Sequence, residues 1–304
     1  CRVKDEKGVV LVVNGFDRIS GPADFVAASI AGFYDSKDHG VPYKEDISFI
    51  GSQYEFRRSI PWSDDDAPGF GASRANYETM VIAGNTFDYP ALHGQSIVKA
   101  GYSYVSSSDE AVSSGQVNLN DYKLLDLILG KQRQVKIGRG VHEAQFKTFP
   151  AELQQAISTY CNQGGNVLVS GAYVGSDLWD SENVQPKDIA FAKDVLKYNW
   201  RTGQASVTGE VKSVVSPFGM ISGKYEFHNE LNGTSYVVES PDAVEPADPA
   251  CFTIFRYSEN NLSAGIAFRG KYKTCVLGFP FESLKTAGQR DQLMNNILLF
   301  MSSK

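Results

Sequence analysis

The sequence predicts an α/β protein, with three layers in α/β/α order around a central, mostly parallel sheet and an antiparallel β extension. Three observations carry that reading. Residues 8–13 are a continuous apolar run, and 123–129 and 166–170 are short and largely apolar, with the length and composition of strands buried on both faces. Residues 151–161 and 289–300 carry apolar side chains at helical spacing. From about residue 206 to 270 the pattern changes to period-two alternation broken by many turns, as in antiparallel strands.

In chain order, residues 8–13 form the first parallel strand, with charge before it and Asn14-Gly15 after it. Asp17 and Arg18 follow at its carboxyl end, where open α/β sheets keep their sites; the alternative is a salt-bridged turn. Residues 22–34 predict a helix with Phe25, Ile30 and Phe33 on one face, and residues 46–50 a second strand. The polar stretch 57–71, which holds Trp62, is long for a silent connection, and such loops often carry function. Its Gly69-Phe70-Gly71 lacks the third glycine of a dinucleotide fingerprint, and Asp64-Asp65-Asp66 reads as a solvated turn rather than a cation site. Residues 79–83 predict another buried strand, which runs into a dense polar-aromatic cluster, residues 84–94, containing Asn85, Asp88, Tyr89 and His93. Asp88 and His93 pair there as a base and its orienting acid, or else Asn85 or Asp88 caps a helix and His93 is packed inside it.

Residues 103–107 predict a short strand and 109–114 a helical turn; the strand 123–129 ends at Gly130-Lys131-Gln132-Arg133. The centre of the chain is residues 151–179. Leu153, Ile157, Tyr160 and Cys161 give a helix one apolar face, Gly164-Gly165 stops it, and residues 166–170 form a buried strand. Gly171-Ala172-Tyr173-Val174-Gly175 then makes a glycine-framed elbow, the kind of turn that can expose a nucleophile. Its middle residue is Tyr173, a poor nucleophile because a phenol ionises at about pH 10. A helix over 188–198 turns Ile189, Ala192, Val195 and Leu196 inward, and strands follow at 206–215, 224–227, 235–239, 252–257 and 264–268. A last buried strand, 272–278, leads through Phe279-Pro280-Phe281-Glu282 to the closing helix 289–300. With no internal repeat, linker or low-complexity tract, the whole of 1–304 reads as a single α/β domain, 206–270 being an antiparallel insertion or edge extension.

Composition narrows the function classes. A net charge of −6 without a sustained Lys/Arg run argues against nucleic acid as the main partner. No apolar run approaches the roughly 18 residues of a membrane span, and no signal peptide is visible, so the chain reads as a mature protein or an excised domain. Cys1, Cys161, Cys251 and Cys275 form no C-x-x-C pair and suggest no metal site. Cys161 and Cys275 read as small core residues, and Cys1 as a chain boundary or, though no lipobox is seen, a lipidated cysteine. No cofactor motif is present.

The G-x-x-x-G elbow followed by a late F-x-x-E resembles the class I glutamine amidotransferase-like, flavodoxin-like fold. That superfamily places a cysteine at the centre of the elbow and a histidine and glutamate in the later F-H-P-E motif. Here those positions read Tyr173, Pro280 and Glu282, so the resemblance implies the scaffold without the thioester route, and no glutaminase activity. Over nearly the whole chain, VVNGFDRISGP, RRSIPWSDDDAPGFGAS, AGNTFDYPALHG, LDLILGKQR and LGFPFESL resemble a module near the end of large secreted bacterial cell-envelope proteins, often labelled xanthan lyase or N-acetylmuramoyl-L-alanine amidase. The multi-histidine zinc pattern of the amidase domain is absent, so the resemblance does not imply that activity. It implies a secreted or cell-envelope location, in the periplasm or on the outer surface, with neighbouring domains as partners.

Three functions follow in order. The first is a non-catalytic or accessory module of a secreted cell-envelope or polysaccharide-processing protein that binds glycan or peptidoglycan fragments. Phe16, Trp62, Tyr89, Tyr173 and Trp179 supply aromatic faces near predicted strand ends, with Asn14, Arg18, Asn85, Gln132 and Ser170 as polar neighbours. The second is a hydrolase of glycan or amide bonds in a remodelled cleft, worked by Asp17, Asp88, His93 and Glu282 with Tyr173 as hydrogen-bond donor. The third is a purely structural domain. If the strand ends converge, Asp17, Arg18, Asp88, His93, Gln132 and Tyr173 line one cleft, with Glu282 close by.

Overall fold

A computed structural model describes residues 1–16, the backbone of 24–27 and 30–33, residue 59, and residues 89–303 except 135–146, 182–183, 220–222, 231–234, 237 and 239. Asp17, Arg18, Trp62, Asn85, Asp88 and the strands expected at 46–50 and 79–83 lie outside the described residues.

The described strands are β1 (Val9–Asn14), β2 (Asp24–Ala27), β3 (Ile30–Phe33), β4 (Ser103–Ser108), β5 (Leu124–Gly130), β6 (Asn166–Gly171), β7 (Tyr198–Thr202), β8 (Glu210–Ser213), β9 (Lys224–Glu226), β10 (Ala243–Pro246), β11 (Cys251–Tyr257), β12 (Ser263–Arg269) and β13 (Lys273–Leu277). Nine of them form one sheet in the order β4-β1-β5-β6-β13-β12-β11-β8-β9. The pairs from β4 through β13 are parallel, and those from β13 through β9 are antiparallel. The protein is therefore a mixed α/β structure whose large parallel sheet continues directly into antiparallel strands. The last strand in sequence of that sheet, β13, sits between β6 and β12 and joins the two parts.

The apolar runs explain the layers. Along β5, Leu125, Leu127 and Leu129 face one core, which includes Leu153, Ile157 and Tyr160 of α3 (Ala151–Asn162). Leu124 and Ile128 face the other, which includes Ile97 of α1 (Tyr89–Lys99) and Leu293, Ile297 and Phe300 of α6 (Ala287–Ser302). Side chains alternate across a strand, so a strand with apolar residues on both faces can fill both cores at once, each fully buried leucine contributing about 1.5–3 kcal/mol. Cys161 and Cys275 are both buried, as small core residues. The α3 helix ends as expected, with Gly164 at a φ of +91°, a conformation that costs glycine little. Three further α-helices among the described residues are short, α2 (Asp109–Ser113), α4 (Ser176–Trp179) and α5 (Pro186–Ala190).

Four expectations are corrected. Within the segment read as a helix over 22–34, Asp24–Ala27 and Ile30–Phe33 are instead paired antiparallel strands, β2 and β3; Phe25, Val26, Ile30 and Phe33 suit a strand as well as a helix, and a short apolar run does not separate the two. The helix expected over 188–198 is α5 followed by a π-helical turn, Phe191–Leu196. Lys197, at a φ of +71°, ends it, and Tyr198 opens β7 rather than closing a helix. The strand expected at 206–215 shortens to β8. Of residues 235–239, the described ones, 235, 236 and 238, lie outside any strand. The antiparallel ribbon β7–β10 has no counterpart among the expected elements; β10 packs against β12, so this ribbon covers part of the sheet.

Candidate functional site

Polar side chains gather in two places. The first is buried between β5, α1 and the turn after β13. Asp126 occupies the middle of β5, in a strand otherwise made of leucine, isoleucine and glycine. His93, from α1, brings Nδ1 within 2.7 Å of Asp126 Oδ2 and Nε2 within 3.2 Å of Glu282 Oε2. The Tyr236 hydroxyl donates to Glu282 Oε1 at 2.6 Å. His93, Asp126 and Glu282 are 0%, 2% and 1% exposed. Both ring nitrogens face carboxylate oxygens, so both carry protons and the ring is an imidazolium. Burial pushes the imidazole pKa down, but the two carboxylates outweigh it and raise the value to about 9. The ring also packs on Phe281, with centroids 4.5 Å apart.

The second place is an open cleft of about 480 Å³ beside the carboxyl ends of β5 and β6. Arg133 and Gln134, just past β5, form one wall, and Tyr173, Ser176 and Asp177 of the elbow form its floor. Trp200, Thr202 and Gly203 of the β7 region complete it with Ser240. The Arg133 guanidinium carbon lies 4.8 Å from the centre of the Tyr173 ring, within cation–π reach. A larger groove of about 590 Å³ runs between α2 and α3, but only the cleft at the strand ends adjoins the elbow.

Two buried carboxylates shape the cleft from behind. Asp242, 0% exposed, accepts from the Gly175 and Ser176 N–H groups at 2.6 and 2.8 Å, and from Trp200 Nε1 at 3.0 Å. It caps the first amides of α4 from a distant part of the chain, and burial nonetheless lifts its carboxyl to about 7. Asp177 accepts from the Gln134 and Thr148 N–H groups, both at 2.8 Å, and so ties both of these residues to the start of α4. A Cβ added at Gly175 would stand 2.5 Å from Trp200 Cδ1, so the second glycine of the elbow admits the indole. The Tyr198 hydroxyl donates to the Val174 carbonyl and ties β7 to the same turn.

These positions revise the expected site. His93 pairs with Asp126 and Glu282, neither of which was its expected partner, and its expected partner Asp88 lies outside the described residues. His93 and Glu282 do meet, but in the core rather than in a cleft with Tyr173. Tyr89 is 4% exposed and packs between Phe16 and Tyr236 at centroid distances of 5.9 and 5.4 Å, so it is a core aromatic rather than a ligand platform. Ser170 and Gln132 are likewise buried, at 0% and 2%. Asn14 is half-buried at the end of β1, its amide donating to the Phe16 carbonyl at 3.4 Å, and Trp179 packs on Tyr198 with centroids 5.9 Å apart. Of the expected residues that are described, Tyr173 alone lines the cleft, and it does so as a buried residue, 6% exposed and packed into the core, rather than as a side chain exposed on the elbow. Sequence reasoning missed Asp126, Arg133, Asp177, Trp200 and Asp242. Only Asp126 carried a legible signal, a lone carboxylate inside a buried strand, which must have a partner.

No known family profile matches the chain, and no curated protein matches it. Among solved structures, a cytoplasmic protein from Salmonella typhimurium LT2 is similar over 97% of this chain and 100% of its own, at 9% identity and a TM-score of 0.47. An IFT52 N-terminal domain is similar over 69% of this chain and 89% of its own, at 13% identity and a TM-score of 0.44. A GMP synthase-like protein from Thermoplasma acidophilum is similar over 73% of this chain and 92% of its own, at 11% identity and a TM-score of 0.41. These are three unlike proteins, and none carries a function to this chain.

Proposed function

We propose that this chain is a non-catalytic binding module with a class I glutamine amidotransferase-like core, part of a secreted cell-envelope or polysaccharide-processing protein. In this reading the elbow cleft takes a glycan or peptidoglycan fragment. The observation that carries it is the cleft floor. At the centre of the elbow stands Tyr173, with the Arg133 guanidinium over its ring. Pro280 holds the position of the base. The nearest equivalent, His93, is an enclosed imidazolium already bound to two carboxylates, so it has neither a free lone pair nor access to a substrate. The cleft instead joins an aromatic wall, Trp200, to hydroxyls from Ser176, Ser181, Thr202 and Ser240 and amides from Gln134 and Gln204. Flat apolar surface beside many small hydrogen-bonding groups matches the two faces of a sugar ring.

The test is calorimetric titration with muropeptides and plant and bacterial oligosaccharides, with mass spectrometry of the same mixtures. Binding without turnover, abolished by the cleft-filling variant Thr202→Trp, is expected. Turnover that Tyr173→Phe removes would replace this reading with a hydrolase, and absence of binding to every sugar would end it.

A further inference from the structure

We infer that the cleft is selective for a sugar carrying a single carboxylate, with Arg133 as the residue that binds the anion. The inference rests on the proposed glycan-binding role and adds the charge class of the ligand. Arg133 is half-buried at the cleft wall. None of the ion pairs among the described residues includes it. Its guanidinium lies over the Tyr173 ring at 4.8 Å. A cation held over an aromatic face keeps its N–H donors available, and a planar guanidinium presents them as a fork that matches a carboxylate in two parallel hydrogen bonds. Holding a guanidinium partly out of water without a counter-ion among the described residues costs free energy, and a ligand anion recovers it.

The other charges in the cleft set how many anions it accepts. Asp177 and Asp180 also line it. The Asp177 oxygens each accept a backbone N–H, while Asp180 is exposed. Two carboxylates repel a polyanion. One exposed carboxylate, however, is a good acceptor for sugar hydroxyls. A single uronate or lactyl carboxylate among neutral hydroxyls satisfies both ends: the anion sits at Arg133 and the hydroxyls turn to Asp180 and the hydroxyl-bearing wall. Phosphate-rich ligands do not fit, since they would bring several charges against Asp180.

The experiment compares each acidic sugar with its own methyl ester, so that only the charge changes. Suitable probes are a xylo-oligosaccharide bearing one glucuronate and a disaccharide containing N-acetylmuramate, titrated into wild-type protein and Arg133→Gln. The acid is expected to bind about tenfold or more tightly than its ester, with Arg133→Gln bringing the two to the same affinity. Raised salt should narrow the gap, as it screens a partly exposed pair. Equal binding of acid and ester, unaffected by Arg133→Gln, overturns the charge inference and leaves the glycan-binding role standing. Binding of neither member of any pair overturns both.

Discussion

The His93 cluster and the Arg133 cleft draw on similar chemistry, a cation with carboxylates and a tyrosine, yet they are built for opposite ends. Around His93 every charged group closes on another: Asp126 and Glu282 bracket the ring, and Tyr236 binds the outer oxygen of Glu282. Water is excluded, and the three groups bind α1, β5 and the turn after β13 into one block. At the cleft two buried carboxylates are engaged by backbone amides instead of by the cation. Asp177 and Asp242 serve backbone amides, and Arg133 is left facing an aromatic ring and the solvent. A histidine and two acids within hydrogen-bonding distance resemble catalytic machinery on paper. What separates a bolt from a site is access for a third party, and in the His93 cluster even Asp126 Oδ1, which has no hydrogen-bond partner among the described residues, is enclosed with the rest.

The sharpest way to break this comparison is His93→Ala. It leaves two buried carboxylates facing a cavity without their cation, and removing one partner of a buried pair costs about 3–5 kcal/mol. Urea denaturation of wild type and variant should show that loss. A variant of unchanged stability would mean that the cluster is not structural.

A second effect follows from titration. The His93 pKa is raised from 6.5 to about 9 in the folded protein, because the two carboxylates outweigh the opposing effect of burial. Between those values the folded state holds a proton that the unfolded state has released, so stability falls as pH rises. The contribution is complete below about pH 6.5 and is lost as pH passes through about 9. Denaturation midpoints at successive pH values should decline through that window in the wild type, and the part due to His93 should be missing from His93→Ala.

The smallest expected effect lies in the cleft. Arg133→Gln removes a cation–π contact but no ion pair found among the described residues, so stability should fall by about 1 kcal/mol or less. A loss comparable to that of His93→Ala would place Arg133 in the framework and erase the contrast between the two regions.

By itself the sequence determined the layers of this protein. Predominantly apolar runs such as LLDLILG and VLVS are best buried on both faces, which places them at the centre of a sheet between helices. It also marked the elbow, because Gly171 and Gly175 frame a turn at the end of such a strand. Asp126 was visible as an anomaly, though its partners were not, since His93 and Glu282 stand 33 and 156 positions away along the chain. Tertiary structure alone decided which polar groups became a bolt and which a cleft. Asp242 reaches the elbow from 67 positions beyond Gly175, and Trp200 reaches it from a ribbon that period-two alternation did not announce. Local pattern reports which side of an element faces water. Whether two charged side chains meet depends on how separate elements pack, and that free energy exists only once the chain has folded.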